Sequence, residues 1–224
     1  IFRKMKTALI LGSTGLVGSV ILNELLNDSS YTKVITLVRK PQPIQHSKLI
    51  EIVTDFNSVP DFSQINHIDS IFSCLGTTRK QTPDLIAYRK IEIEIPLIYA
   101  EIGKTKGLQN FHYVSAIGAN KNASNFYLNM KGEAEYLLQN ANIPSLYIYQ
   151  PSLLIGERKE YRFAEKVGAK IFPIIDLFLM GTLSKYKAMK VENLAKAMIK
   201  IDSKDEINSV SVYQYDEIMQ NLKK

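Results

Sequence analysis

Apolar residues fall in short runs, and stretches of helical spacing separate those runs along the first 150 residues. Runs near 6–11, 33–39, 48–53, 69–75, 110–116 and 145–150 predict strands, and helical patterns near 16–27, 84–106 and 128–140 lie between them. Strands that alternate with helices predict βαβ units: a doubly wound, mostly parallel α/β sheet with helices on both faces. Pro96 inside the 84–106 run removes a backbone donor, so it should kink that helix or begin its second half. The polar link 55–69 predicts irregular chain or one helical turn. After Gln150 the rhythm changes to mixed character, with one clear helix near 191–201, a strand-like 209–213 and a short helix to the end. The expected organisation is one domain over 1–224, with a core of about 5–150 and a small C-terminal cap with closing elements over 151–224. The alternative for this tail is that it only covers the sheet edge.

Bulk properties narrow the picture a little. The net charge of +6 arises from 28 basic and 22 acidic residues scattered along the chain, which reads as a solvated surface and not a nucleic-acid stripe. The single cysteine, Cys74, can form no internal disulfide, which fits a reducing compartment. The three histidines, His46, His67 and His112, lack metal-ligand spacing, so metal chemistry is not expected. Ile1-Phe2-Arg3-Lys4 is not the apolar core of a signal peptide, and Met5 reads as the natural start. Ile171–Met180 is strongly apolar but short and broken by Pro173 and Asp176, so no stable membrane insertion is expected. Core is the default reading of that segment, with a substrate lid or a homodimer contact as alternatives. The expected address is cytoplasmic.

The chemistry begins where the first strand ends. Gly12-Ser13-Thr14-Gly15-Leu16-Val17-Gly18 follows the strand and opens the first helix. Glycine permits a sharp turn and close approach to a pyrophosphate, which the bare N–H groups of a helix start then attract. The spacing is GxxGxxG and not GxGxxG, and a role in chain reversal alone is the competing reading. A carboxylate at the end of the second strand would bind the ribose hydroxyls of NAD. Here that strand ends in Arg39 and Lys40, two cations where a 2′-phosphate would lie, which favours NADP(H) over NAD(H). The competing reading is a solvated basic strand end. Asp55 and Phe56 follow the third strand as an acceptor and a packing surface for adenine. Cys74-Leu75-Gly76-Thr77 ends the fourth, where Gly76 lets a cofactor pass or merely makes a turn.

Tyr127 and Lys131 stand four apart, on one face of a helix. Chance supplies such pairs, and a second occurs at Tyr186 and Lys190. Context separates them: Ser115 ends the fifth strand twelve residues before Tyr127, whereas position 174, at the matching distance before Tyr186, is Ile. Gly12–Gly18, Cys74-Leu-Gly-Thr-Thr-Arg79, Val114-Ser-Ala-Ile-Gly-Ala-Asn120, Tyr127-Leu-Asn-Met-Lys-Gly-Glu133 and Gln150-Pro-Ser-Leu-Leu154 together resemble the short-chain dehydrogenase/reductases. Within them the chain is similar to the atypical branch that includes the Tat-interacting-protein oxidoreductases, which bind NAD(P) on a Rossmann sheet. The match runs in order over about two-thirds of the chain.

The resemblance implies hydride transfer to or from a small carbonyl or alcohol substrate. It implies Tyr127 as acid–base group, Ser115 holding the substrate oxygen and Lys131 on the nicotinamide ribose. Val114 would border the cofactor, and Pro151, Leu153 and Leu154 would line the nicotinamide amide site. Lys131 and an oxidised nicotinamide would favour the phenolate, whose free pKa is about 10. Many relatives use an asparagine on the helix after the fourth strand in a proton relay, and 84–95 contains none. Some relatives work through protein partners, so an NADPH-binding regulator with little turnover is the alternative. A sugar-nucleotide epimerase or dehydratase ranks last, because only 74 residues follow Gln150.

Overall fold

The computed structural model describes residues 5–156, 181–204 and 210–223. Expectations for Ile171–Met180 lie outside the described residues. Seven strands form one parallel sheet: β1 (Lys6–Leu11), β2 (Tyr31–Val38), β3 (Leu49–Val53), β4 (Ser70–Ser73), β5 (Asn110–Val114), β6 (Ser145–Tyr149) and β9 (Val210–Tyr213). Their spatial order is β3-β2-β1-β4-β5-β6-β9, so the order in which strands are added reverses between β1 and β4. Ligands of open α/β sheets bind at that switch, beyond the carboxyl ends of the strands.

β1 shows why the runs read as buried strands. Ala8 and Ile10 face one core, with α1 (Leu16–Asn27) and α5 (Val191–Asp202) packed over it. Leu9 and Leu11 face the other, beneath α3 (Ile95–Thr105) and α4 (Phe126–Gln139). All four residues are fully buried, and each such Leu or Ile contributes about 1.5–3 kcal/mol of transfer free energy. A strand covered on both faces has no polar side to alternate with.

The 84–106 pattern resolves into α2 (Leu85–Arg89), a π-helical turn at Lys90–Glu94 and α3. Pro96 sits at the start of α3, as its missing N–H requires. The link between β3 and β4 is irregular. In the described part of the tail, α5 packs against α1 and α6 (Tyr215–Lys223), and β9 extends the sheet beside β6. The short pair β7 (Leu154–Ile155) and β8 (Met189–Lys190) brackets the undescribed 157–180. Among the described residues no helix is long and apolar enough to cross a membrane.

Candidate active site

A cleft of about 900 Å³ opens at the carboxyl edge of the sheet, around the switch point. Gly12, Thr14 and Gly15 from the first turn line it, with Arg39 after β2, Asp55 and Phe56 after β3, and Cys74 through Thr77 after β4. These come from loops far apart in sequence, and each was expected at a cofactor. Ile91 and Ile95 add an apolar wall from the helix after β4.

Gly12 takes φ +84°, and a Cβ there would lie 2.9 Å from the Cys74 carbonyl oxygen. A Cβ on Gly18 would lie 2.2 Å from the Gly12 carbonyl oxygen, so only glycine lets α1 start this close to the turn. Gly15 N donates to Gly12 O at 2.9 Å and closes the loop. The N-cap of α1 is Gly15, no side chain caps it, and no acidic residue occupies the first turn. The orphan N–H groups therefore keep their partial positive charge for an anion. The cradle fits a pyrophosphate.

The other glycine-loop residues support the cradle from behind. Ser13 is buried, its hydroxyl accepting from Gln42 Nε2 at 3.3 Å. Val17 is in the core and Leu16 packs against it. Arg39 and Lys40 are exposed, and Arg39 alone of the two lines the cleft. The Asp55 carboxylate accepts from Asn57 N and Asn57 Nδ2, each at 2.8 Å, and these bonds hold it below the ordinary Asp value. Phe56 takes φ +61°, lines the cleft and packs against the core beneath it. The low-dielectric surroundings of Cys74 push its thiol up to about 12, so it lines the wall as a neutral group.

Tyr127, Lys131 and Glu135 lie on one face of α4, and Asn125 caps that helix through Leu128 N at 3.1 Å. Lys131 is 3% exposed; its Nζ donates to Val114 O at 3.0 Å and Leu75 O at 3.4 Å, and pairs with Glu92 Oε2 at 2.8 Å. Burial pulls the Lys131 ammonium down, but Glu92, then Tyr113 and Tyr127, lift it well above the ordinary lysine value. Tyr127 is 40% exposed, and its hydroxyl makes no hydrogen bond among the described residues. Desolvation raises its phenol above the ordinary value, against the pull of Lys131 and with the push of Glu92. With Glu92 neutralising Lys131, the phenol is held neutral in the ligand-free site, not as the phenolate that Lys131 alone would favour.

Ser115 is buried and donates its hydroxyl to Glu135 Oε1, while Gln150 Nε2 donates to both Glu135 oxygens at 2.9 and 3.1 Å. Burial raises the Glu135 carboxyl above its ordinary value, with Ser115 and Gln150 opposing. Pro151 O accepts from Ile117 N at 2.9 Å, Leu153 O accepts from Met189 N at 2.9 Å, and Leu154 packs on the core. The structure thus brings Val114 and Lys131 into contact, and it engages Ser115 away from the cleft.

Sequence reasoning missed Glu92 and Glu135. Both carried a signal: Glu92 stands at helical spacing from the apolar Tyr88, Ile95 and Tyr99, and Glu135 continues the face of Tyr127 and Lys131 by one turn. A carboxylate on an otherwise apolar face is rarely buried without a partner.

A family model described as NAD(P)H-binding matches residues 12–171. The protein HTATIP2 of Rattus norvegicus is 29% identical over 75% of this chain and 70% of its own length. The mitochondrial protein FMP52 of Debaryomyces hansenii is 29% identical over 88% of both chains. The mitochondrial protein fmp52 of Aspergillus niger is 35% identical over 73% of both. These agree with the resemblance drawn from the motifs. The two FMP52 relatives, both named mitochondrial, overturn the cytoplasmic expectation, which is withdrawn: a single cysteine fits any reducing compartment and gives no address. Among solved structures, a UDP-N-acetylglucosamine 4-epimerase from Methanobrevibacter ruminantium superposes with TM-score 0.67 at 17% identity, over 94% of this chain and 77% of that one. A UDP-glucuronic acid 4-epimerase from Bacillus cereus in complex with NAD gives 0.65 at 16%, over 93% and 76%. At that identity the likeness carries the Rossmann fold alone.

Proposed function

The chain belongs to the NAD(P)H-binding family, and from that premise we propose that it is an NADP(H)-dependent oxidoreductase acting on a small carbonyl or alcohol, with Tyr127 as its acid–base group. One observation carries the reading: a buried Lys131 ammonium lies within 4.0 Å of where a Gly76 side chain would start, and Tyr127 stands one helical turn away. When bound, the nicotinamide supplies the hydride in reduction and takes it in oxidation. The α1 N-terminus holds the pyrophosphate, Gly12 lets it approach, and Arg39 meets a 2′-phosphate. Tyr127 donates its phenolic proton to the carbonyl oxygen and takes it back from the alcohol. Lys131, whose three N–H groups already meet Val114 O, Leu75 O and Glu92 Oε2, reaches the ribose by giving up the longest of these contacts, Leu75 O at 3.4 Å. Ser115 reaches the substrate oxygen only after its bond to Glu135 is exchanged.

Calorimetric titration with NADPH and with NADH tests the cofactor. Arg39→Ala is expected to weaken NADPH by roughly 10–100-fold, the worth of a charge-assisted contact, and to leave NADH unchanged. Equal losses for both nucleotides would remove Arg39 from the phosphate site. The engagement of Ser115 by Glu135 favours a second reading, an NADPH-binding regulator with little turnover. A partner protein captured only with NADPH present, together with silence on aldehyde, ketone and quinone panels, would select it.

A further inference from the structure

We propose that Glu92 is the positioning residue of this site: from a π-helical turn its carboxylate holds the Lys131 ammonium beneath Gly76 and ties it to the Thr77 wall of the cleft. The proposal rests on the cofactor reading above.

Glu92 is 1% exposed; Oε1 accepts a hydrogen bond, and Oε2 is held by ion pairing alone, with no hydrogen bond among the described residues. Oε1 accepts from Thr77 N at 2.7 Å, and Oε2 meets Lys131 Nζ at 2.8 Å. Thr77 lines the cleft, so one carboxylate joins the cleft wall to the lysine. A buried carboxylate is costly unless charge and hydrogen bonds compensate it, and here the charge comes from Lys131 on α4 and the hydrogen bond from Thr77 after β4. A Cβ on Gly76 would lie 3.7 Å from Glu92 Oε1 and 4.0 Å from Lys131 Nζ, so the pair sits directly under that residue.

The backbone explains how Glu92 comes to point there. Pro96 has no N–H for the Glu92 carbonyl, and the helix takes a π turn over Lys90–Glu94, with Ile95 N donating to Lys90 O. The Tyr113 hydroxyl donates to the freed Glu92 carbonyl at 3.4 Å. π turns place side chains off the regular helical face and recur at functional sites. The groups that face Lys131 are Glu92, Tyr113 from β5, Tyr88 from α2, Cys74 after β4, and Tyr127 and Glu135 from its own helix. Glu92 is the carboxylate in contact with the ammonium. Removing its charge leaves a cation buried without a counterion, and such a lysine releases its proton.

Nuclear magnetic resonance of the ligand-free protein with 13Cε-labelled lysine, Lys131 assigned through its loss in Lys131→Met, reads this directly. In the unchanged chain the Lys131 signal is expected not to titrate below the ordinary lysine value of about 10.4, and in Glu92→Gln to titrate below it. NADPH affinity of Glu92→Gln is expected to fall roughly tenfold between pH 6 and pH 9 beyond any fall in the unchanged chain, since a contact of Lys131 is lost with its charge. In the Lys131→Met background the Gln substitution should add no pH dependence. A folded Glu92→Gln protein whose Lys131 signal matches that of the unchanged chain overturns the proposal. Should Gln unfold the protein, Glu92→Asp carries the test through its shorter reach: a lowered Lys131 titration supports the proposal, and an unaltered one overturns it. Failure of the unchanged chain to bind NADPH sinks the cofactor reading and the proposal's role for Lys131 toward the cofactor, while the resonance experiment still decides whether Glu92 governs the lysine.

Discussion

Tyr127→Phe is expected to lose roughly 10²–10⁴-fold in NADPH-dependent turnover, the usual worth of a positioned proton donor, and to keep NADPH affinity within about twofold. Tyr127 is 40% exposed and its hydroxyl has no hydrogen bond among the described residues, so removing the hydroxyl breaks no hydrogen bond of the fold. Its ring stays in the phenylalanine variant. The two properties therefore separate: proton transfer goes, packing remains. The pH dependence has a definite sign. Desolvation holds the phenol neutral above its ordinary value, and Glu92 cancels part of the Lys131 field that would ionise it. A neutral phenol is the form that donates, so carbonyl reduction should be level through neutrality and fall only as the phenol ionises above about 10. Alcohol oxidation needs the phenolate and should climb with pH over the same interval. Absorbance of NADPH at fixed saturating nucleotide, over aldehyde, ketone and quinone panels, measures both directions. A phenylalanine variant as fast as the unchanged chain would remove Tyr127 from the chemistry.

What could be read before the structure follows from how far each interaction reaches along the chain. β1 and α1 were legible because a strand buried on both faces is a continuous apolar run and because the Gly12–Gly18 turn is written in adjacent residues. Pro96 marked the break in the 84–106 helix, since the missing donor is a property of that residue alone. The partners of the π turn before it were not legible: Pro96 frees the Glu92 carbonyl, but the Tyr113 hydroxyl and the Lys131 ammonium that meet Glu92 come from β5 and α4. The cleft wall was recognised as strand ends, but the partner of Ser115 was not: Glu135 lies twenty residues away and reaches it only when α4 packs on β5. The tail after Gln150 shows the same limit. Its described strand and helices find their places through β6 and α1, which no local periodicity announces. Where an acid stood on an apolar helix face, the sequence held a usable signal of the site.

Asp202→Ala is expected to cost about 3–5 kcal/mol, the usual penalty when one partner of a buried charged network is removed. Asp202 ends α5 and is fully buried below the amino ends of the strands, on the side of the sheet opposite the cleft. Its Oδ2 accepts from Lys6 Nζ at 2.8 Å and from the Tyr31 hydroxyl at 2.5 Å. Its Oδ1 accepts from Ser70 Oγ at 2.5 Å, Asn110 Nδ2 at 3.0 Å and His112 Nε2 at 3.0 Å. One carboxylate therefore ties α5 to β1, β2, β4 and β5, and alanine would take that acceptor from all five donors, leaving Lys6 and Asn110 the Asp202 backbone carbonyl. Burial pushes the Asp202 carboxyl up, but His112 and Lys6 outweigh it and hold the group far below the ordinary range. His112, stacked between Phe72 and Tyr147, is held by burial below its ordinary value despite Asp202. The neutral ring fits one tautomer: Nε2–H donates to Asp202, and Nδ1 accepts from the Tyr149 hydroxyl, 2.9 Å away. Both shifts act in one direction on acidification. Below about pH 6.5 the unfolded chain protonates its histidine while the native one resists, and below about pH 3.9 the unfolded carboxyl does the same. Native stability thus falls with pH from the first of these points downward. Asp202→Ala removes the carboxylate's share of that slope and lowers the thermal midpoint by roughly 6–20 °C. Urea unfolding at pH 7.5, 5 and 3 reads the free-energy cost and the slope, and thermal unfolding at pH 7.5 reads the midpoint. A loss under about 1 kcal/mol, well short of the usual cost of breaking a buried network, would mean that water replaces the carboxylate and that α5 is held by its apolar face alone.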